Sequence, residues 1–156
     1  MRPTTAQQTL SITAIAERLK HCGIAATRQR LRIAKALFEH GGHPSAQDLY
    51  QQVNHQQRTV CRATIYNTLN LFVDKGLIQE VSVDSSQTFY DGNIDPHHHI
   101  FNVDTGELLD VEPSTVSFKE LPPLPKGTRQ EDITLIIRVR NVQDKRWIAA
   151  EEKTLQ

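Results

Sequence analysis

Residues 62–91 read RATIYNTLNLFVDKGLIQEVSVDSSQTFYD, and the change of period inside this stretch decides the fold class. Its first half carries Ile65, Leu69, Phe72 and Val73 at helical spacing and stops at Gly76. Leu77 to Val83 and Thr88 to Asp91 are then strand candidates around the polar turn Asp84-Ser85-Ser86. A helix that runs into a hairpin is the closing part of a winged helix, the hairpin being its wing. Such a motif needs a small helical core in front of it, and the upstream sequence supplies one. Ile12 to Cys22 places Ile12, Ile15 and Leu19 on one face before Gly23. Thr27 is a candidate N-cap for a helix bearing Leu31, Ala34, Leu37 and Phe38 that ends at Gly41-Gly42. Pro44-Ser45 opens a third helix with Leu49, Tyr50 and Val53.

Downstream the texture is different. Strands are expected at His97 to Val103 and Glu107 to Val111, joined by a turn at Asp104-Thr105-Gly106. Proline is dense from Pro113 to Pro125, so that segment is expected to be extended. Ile133 to Val142, rich in β-branched residues, is a further strand candidate, and Lys145 to Leu155 a terminal helix. The expected fold class is α+β: a winged-helix domain over residues 1–92, then a small α/β domain over residues 93–156.

Net charge over the 156 residues is zero, but it is divided. Met1 to Gly76 holds 10 Lys/Arg against 4 Asp/Glu, and Leu77 to Gln156 holds 8 against 14. A basic half that coincides with the helical half suits a nucleic-acid reader. The fourth helix would enter a major groove by its N-terminal turn, which offers Arg62, Ala63, Thr64, Tyr66 and Asn67. Ala, Thr and Tyr can touch thymine methyls, Asn can pair with adenine, and Arg prefers guanine or phosphate. Arg28, Arg30 and Arg32 suit phosphate contacts that hold register. No apolar run approaches the roughly 20 residues that cross a bilayer. Met1 to Leu10 is polar, without a signal pattern, so the expected location is the cytoplasm and no membrane partner is expected.

Two cysteines, Cys22 and Cys61, allow neither a disulfide framework nor a four-thiolate zinc site. The histidines are more telling. His40 and His55 lie near helix ends, where a favourable dipole interaction explains them. In the run His97-His98-His99, residues two apart on a strand share a face, so His97 and His99 can hold one ion while His98 points away. The next strand can bring Asp110 alongside, Asp91 ends the wing, and His43 could add a nitrogen from ahead of the third helix. Three imidazoles and two carboxylates suit Fe(II), Mn(II) or Zn(II), and the oxygen ligands favour iron and manganese.

With these residues assembled, the chain resembles the ferric uptake regulator family of bacterial metal-dependent repressors. The resemblance runs from about Leu19 to Val111 and more weakly to Val142. Its carriers are Leu19-Lys20 with Gly23, Thr27-x-x-Arg30, His43-Pro-Ser-Ala-Gln-Asp-Leu-Tyr50, Arg62-Ala-Thr-Ile-Tyr-Asn-Thr-Leu69, Gly76-Leu-Ile, Tyr90-Asp91, and His97-His-His99 leading to Thr105-Gly-Glu107. It implies regulatory metal ligands at His43, Asp91, His97, His99 and Asp110, base readers at Tyr66 and Asn67, and a backbone contact at Arg30. It implies too a homodimer on palindromic, AT-rich double-stranded operator DNA, and no enzymatic activity.

Three departures mark this chain. Most members carry a structural zinc on paired cysteines after the histidine run; here Asn102 and Thr105 stand at the first pair and no second pair exists. The dimerisation module is therefore expected to hold together by packing alone. Asn67 replaces a common Arg, which is similar to the peroxide-sensing and iron-response-regulator branches. Ala25 replaces a basic residue that in relatives probes the minor groove. Haem sensing is the alternative within the second branch, although the chain has no Cys-Pro haem motif. Two readings from other classes stay open. A cupin-like metalloenzyme would want many strands before His97 and a further histidine after His99, and a winged-helix protein-interaction module would leave the histidines incidental.

Overall fold

The computed structural model describes residues 10–142. By its contacts the chain divides into two units, residues 1–95 and 96–156.

The first unit is four helices and a hairpin. α1 (Ile12–His21), α2 (Arg28–Glu39), α3 (Ala46–Val53) and α4 (Arg62–Asp74) precede the strands β1 (Gln79–Ser82) and β2 (Thr88–Asp91). Three of the helix starts are closed by side chains: Ser11, Thr27 and Ser45 accept the N–H groups of Ala14, Arg30 and Asp48. At Ser45 the Asp48 carboxylate reaches back to the cap N–H, completing a capping box. Each such cap contributes about 1 kcal/mol. Two helix ends are closed by a left-handed glycine. Gly23 (φ +70) and Gly76 (φ +69) turn the chain so that Ile24 N–H reaches the Leu19 carbonyl at 2.8 Å and Leu77 N–H that of Phe72 at 2.9 Å.

The helices bury one continuous core in which Ile15, Leu19, Ile33, Leu49, Ile65, Leu69 and Phe72 are wholly buried. β1 and β2 pair antiparallel, Gln79 opposite Asp91 and Ser82 opposite Thr88, and the Asp84 carboxylate closes their turn by accepting the N–H groups of Ser86 and Gln87. Four helices followed by this wing are a winged helix, as the sequence leads one to expect. Gly92, just past the wing, runs so close to α2 that a Cβ there would stand 3.0 Å from the Phe38 ring.

The second unit contains β3 (His98–Asn102), β4 (Leu108–Val111), a single 3-10 turn (Pro113–Thr115) and β5 (Ile136–Val139). Strand order is β4-β3-β5, with β3 antiparallel to β4 and parallel to β5. The strand expected over Ile133 to Val142 is shorter than its composition suggested. The helix expected at Lys145 to Leu155 lies outside the described residues. Both ends of β5 are tied down: His99 N–H donates to the Leu135 carbonyl at 2.9 Å, and Asn102 Nδ2 donates to Asn141 Oδ1 at 2.8 Å. Asp104 accepts from Arg140 and from the Asn141 N–H, both at 2.8 Å. Among the described residues no helix is long and apolar enough to cross a membrane.

Candidate functional site

α4 is two-sided. Ile65, Thr68, Leu69 and Phe72 face the core, whereas Arg62, Ala63, Tyr66, Asn67 and Asn70 are exposed and line the opposite face. Tyr66 is half exposed. Thr64, in the same first turn, is half-buried, and its hydroxyl lies 3.2 Å from Cys61 Sγ. The hydrogen bond from Thr64 holds the exposed Cys61 thiol below the usual range.

The basic residues divide by what they touch. Arg28 is exposed at the start of α2. Arg30 is half-buried and donates to the Ala25 carbonyl at 3.1 Å. Arg62 lies over the Tyr50 ring at 4.6 Å and bonds Gln47, so α3 holds it in place at the mouth of α4. Arg32 bonds Thr59 and the Val53 carbonyl (3.1 Å), tying α2 to the α3–α4 turn. Asn54 completes that turn. Its amide donates to the carbonyls of Tyr50 and Val60, and its oxygen accepts the N–H groups of Thr59 and Val60. Sequence reasoning had no signal for the supporting roles of Gln47, Tyr50 and Asn54, because each bonds a partner on another segment.

Two of the five candidate ligands belong to the first unit. Tyr90 N–H donates to the Pro44 carbonyl at 2.9 Å, a bond that sets the end of the wing beside the residues ahead of α3. It brings His43 Nε2 to 3.4 Å from Asp91 Oδ2, with both side chains almost wholly buried. The Asp91 carboxylate is further oriented by the Asn93 N–H at 2.7 Å and by Gln79 Nε2 at 3.3 Å. Sequence reasoning did not single out Gln79.

The other three belong to the second unit. β3 alternates as its period requires: His97 and His99 project together, their ring centroids 4.5 Å apart. Asp110 is the cross-strand partner of His99. Its Oδ1 lies 3.2 Å from His97 Nε2 and 3.7 Å from His99 Nε2. The ligand-capable atoms of these three residues all fall within 4.8 Å of one another. Ligand atoms that share one ion at about 2.0–2.2 Å stand roughly 3 Å apart, so the spacing and the nitrogen/oxygen donor set both fit a divalent transition metal. His98, by contrast, sits on the other face of the strand with its Nδ1 accepting from Leu135 N–H.

Similarity to known proteins points to one family. The sequence profile of the ferric uptake regulator family matches residues 21–137. The peroxide-responsive repressor PerR of Staphylococcus aureus is 33% identical over 94 residues, 60% of this chain. Those residues span 64% of the repressor's own length. The ferric uptake regulator of Pseudomonas aeruginosa, solved with manganese, is 25% identical, with a TM-score of 0.63 over 80% of this chain and 96% of that one. A zinc-bound manganese uptake regulator gives the same TM-score at 21% identity over 82% of this chain and 98% of its own, which speaks for the fold alone. With a winged helix, a His/Asp cluster and a profile match over most of its length, the chain is a member of the ferric uptake regulator family.

Proposed function

We propose that this protein is a metal-dependent DNA-binding repressor that takes Fe(II) or Mn(II) and controls iron homeostasis or the peroxide response in the cytoplasm. Residues 1–92 are the reader and residues 93–156 the dimerising, metal-sensing part, and two copies bind an AT-rich palindromic operator. The observation that carries this reading is the composition of the two ligand sets. One unit offers a buried imidazole–carboxylate pair, His43 with Asp91, and the other offers His97, His99 and Asp110.

In this reading all five residues serve one ion. An ion held by all five would link side chains of the reader to side chains of the sheet. His43 is attached to the start of α3 and, through Pro44 and Tyr90, to the wing, so its position is rigidly related to that of α4. Tyr66 and Asn67 then meet bases only when the two copies of α4 are spaced by successive turns of the duplex. Arg28 and Arg30 serve phosphates, while Arg62 is presented by Tyr50 and Gln47.

The reading is tested by titrating Mn(II) into variants while following metal binding and operator binding separately. His97→Ala and Asp110→Ala should each remove the metal-dependent gain in operator affinity, about 5–150-fold for a coupling of roughly 1–3 kcal/mol. His43→Ala should still bind Mn(II) but lose its effect on DNA. A His43→Ala protein that switches like the parent overturns the proposed link.

A further inference from the structure

His98 stands in the middle of the histidine run and takes no part in the ligand face. It is 6% exposed, and its Nδ1 accepts the Leu135 N–H at 3.3 Å. The Phe118 ring stands edge-on to the imidazole, centroids 6.1 Å apart. The neighbouring backbone completes the arrangement, because His99 N–H donates to the Leu135 carbonyl at 2.9 Å. Both backbone polar groups of Leu135 are therefore held by consecutive residues of β3, one position before β5 begins. From there β5 lays Ile136 opposite His99 and Arg138 opposite Phe101, with the Arg138 guanidinium over the Phe101 ring at 5.6 Å.

The tautomer follows from the bond. A backbone N–H can only donate, so the Nδ1 facing it carries no proton, and the single proton of the neutral ring sits on Nε2. A ring held in that way has no nitrogen lone pair left for a metal ion.

We propose that His98 is a positioning residue of the metal site: by accepting the Leu135 N–H it fixes the register of β5 against β3, and so sets the wall beside His99. The proposal rests on the reading of His97, His99 and Asp110 as metal ligands. The strand carrying His99, with His97 just ahead of it, is paired on one side by β4, which brings Asp110, and on the other by β5, which brings Ile136 against His99. Partners that orient a ligand from behind commonly change metal affinity about 10–100-fold when they are removed.

The test uses three variants of the full chain and Mn(II) alone, with bound metal read from the loss of the free-ion EPR signal in the absence of oxygen. His98→Ala should weaken Mn(II) binding about tenfold. His98→Asn places an amide oxygen where Nδ1 stood and should restore binding to within about threefold of the parent. His98→Gln reaches instead to the position of Nε2 and should stay as weak as His98→Ala. Restoration by Gln, with or without Asn, overturns the proposal, as do three variants that all bind normally or are all equally weak. A parent protein that fails to bind Mn(II) overturns the proposed function instead. Should a variant not fold, 15N-histidine NMR of the parent decides the matter: Nε2 protonated and Nδ1 bare supports the proposal, and a proton on Nδ1 overturns it.

Discussion

The two units are held together by different means. In the first, seventeen buried residues from the four helices, their connecting segments and the wing form one apolar cluster. In the second, the buried apolar side chains among the described residues are Phe101 and Leu108, and the other buried groups are His97, His98 and His99. A winged helix with that core is stable through burial, at about 1.5–3 kcal/mol for each large side chain. Two such residues contribute far less, so among the described residues apolar burial carries less of the second unit. The contrast teaches that apolar burial carries the first unit, whereas among the described residues of the second the buried groups are mostly imidazoles.

The largest effect expected from this contrast is in the core. Phe72→Ala empties a wholly buried site between helices and should cost about 3–5 kcal/mol in denaturant unfolding. Phe101→Ala, in a thin sheet whose neighbours can close in, should cost clearly less; equal losses would erase the distinction. Next comes the ion. Mn(II) at 100 times its dissociation constant should stabilise the second unit by about 2.7 kcal/mol. In segment-resolved hydrogen exchange, protection should rise in β3 and β4, while the core amides of α1 and α4 are unmoved. Protection that rises equally everywhere would show that the first unit is not independent. The smallest effect separates two residues of the reader. Asn67→Ala should lose about 1–3 kcal/mol at one adenine position. Arg30→Ala should instead weaken all sequences alike and lower the salt slope by about one. Uniform loss in both would displace α4 as the element that reads bases.

Legibility in the sequence followed the range of the interaction. Thr27 was recognisable as a cap and Pro44-Ser45 as the start of a helix because both are decided within four residues, and Thr88–Asp91 because alternation and a polar turn bound it. The spacing of His97, His99 and Asp110 was equally readable, since a two-residue period and one tight turn place all three. What was hidden depends on partners far along the chain. Arg32 looks like any basic helix residue until Thr59 and Val53 are brought to it. His98 looks idle until Leu135, 37 residues on, supplies its N–H. The short β5 was misjudged for a related reason, because β-branched composition marks a tendency, while the pairing ends where Asn102 and Asp104 capture Arg140 and Asn141.

That last cluster changes which chemistry can disturb the molecule. The turn after β3 is fastened to the far end of β5 by amides, a carboxylate and a guanidinium, and both cysteines of the chain, Cys22 and Cys61, lie in the first unit. A fastening made of nitrogen and oxygen has no thiolate to oxidise and no thiolate-bound ion to be ejected. Oxidants and thiol-reactive agents therefore pass it by, and the described residues of the second unit, which include no cysteine or methionine, leave an oxidative signal imidazole or a bound metal to act on. Its weakness is of another kind. Arg140 is 72% exposed and the Asp104 side chain 30%, so their attraction is screened by dissolved ions. Ionic strength, not redox state, is the condition that loosens this end of the sheet.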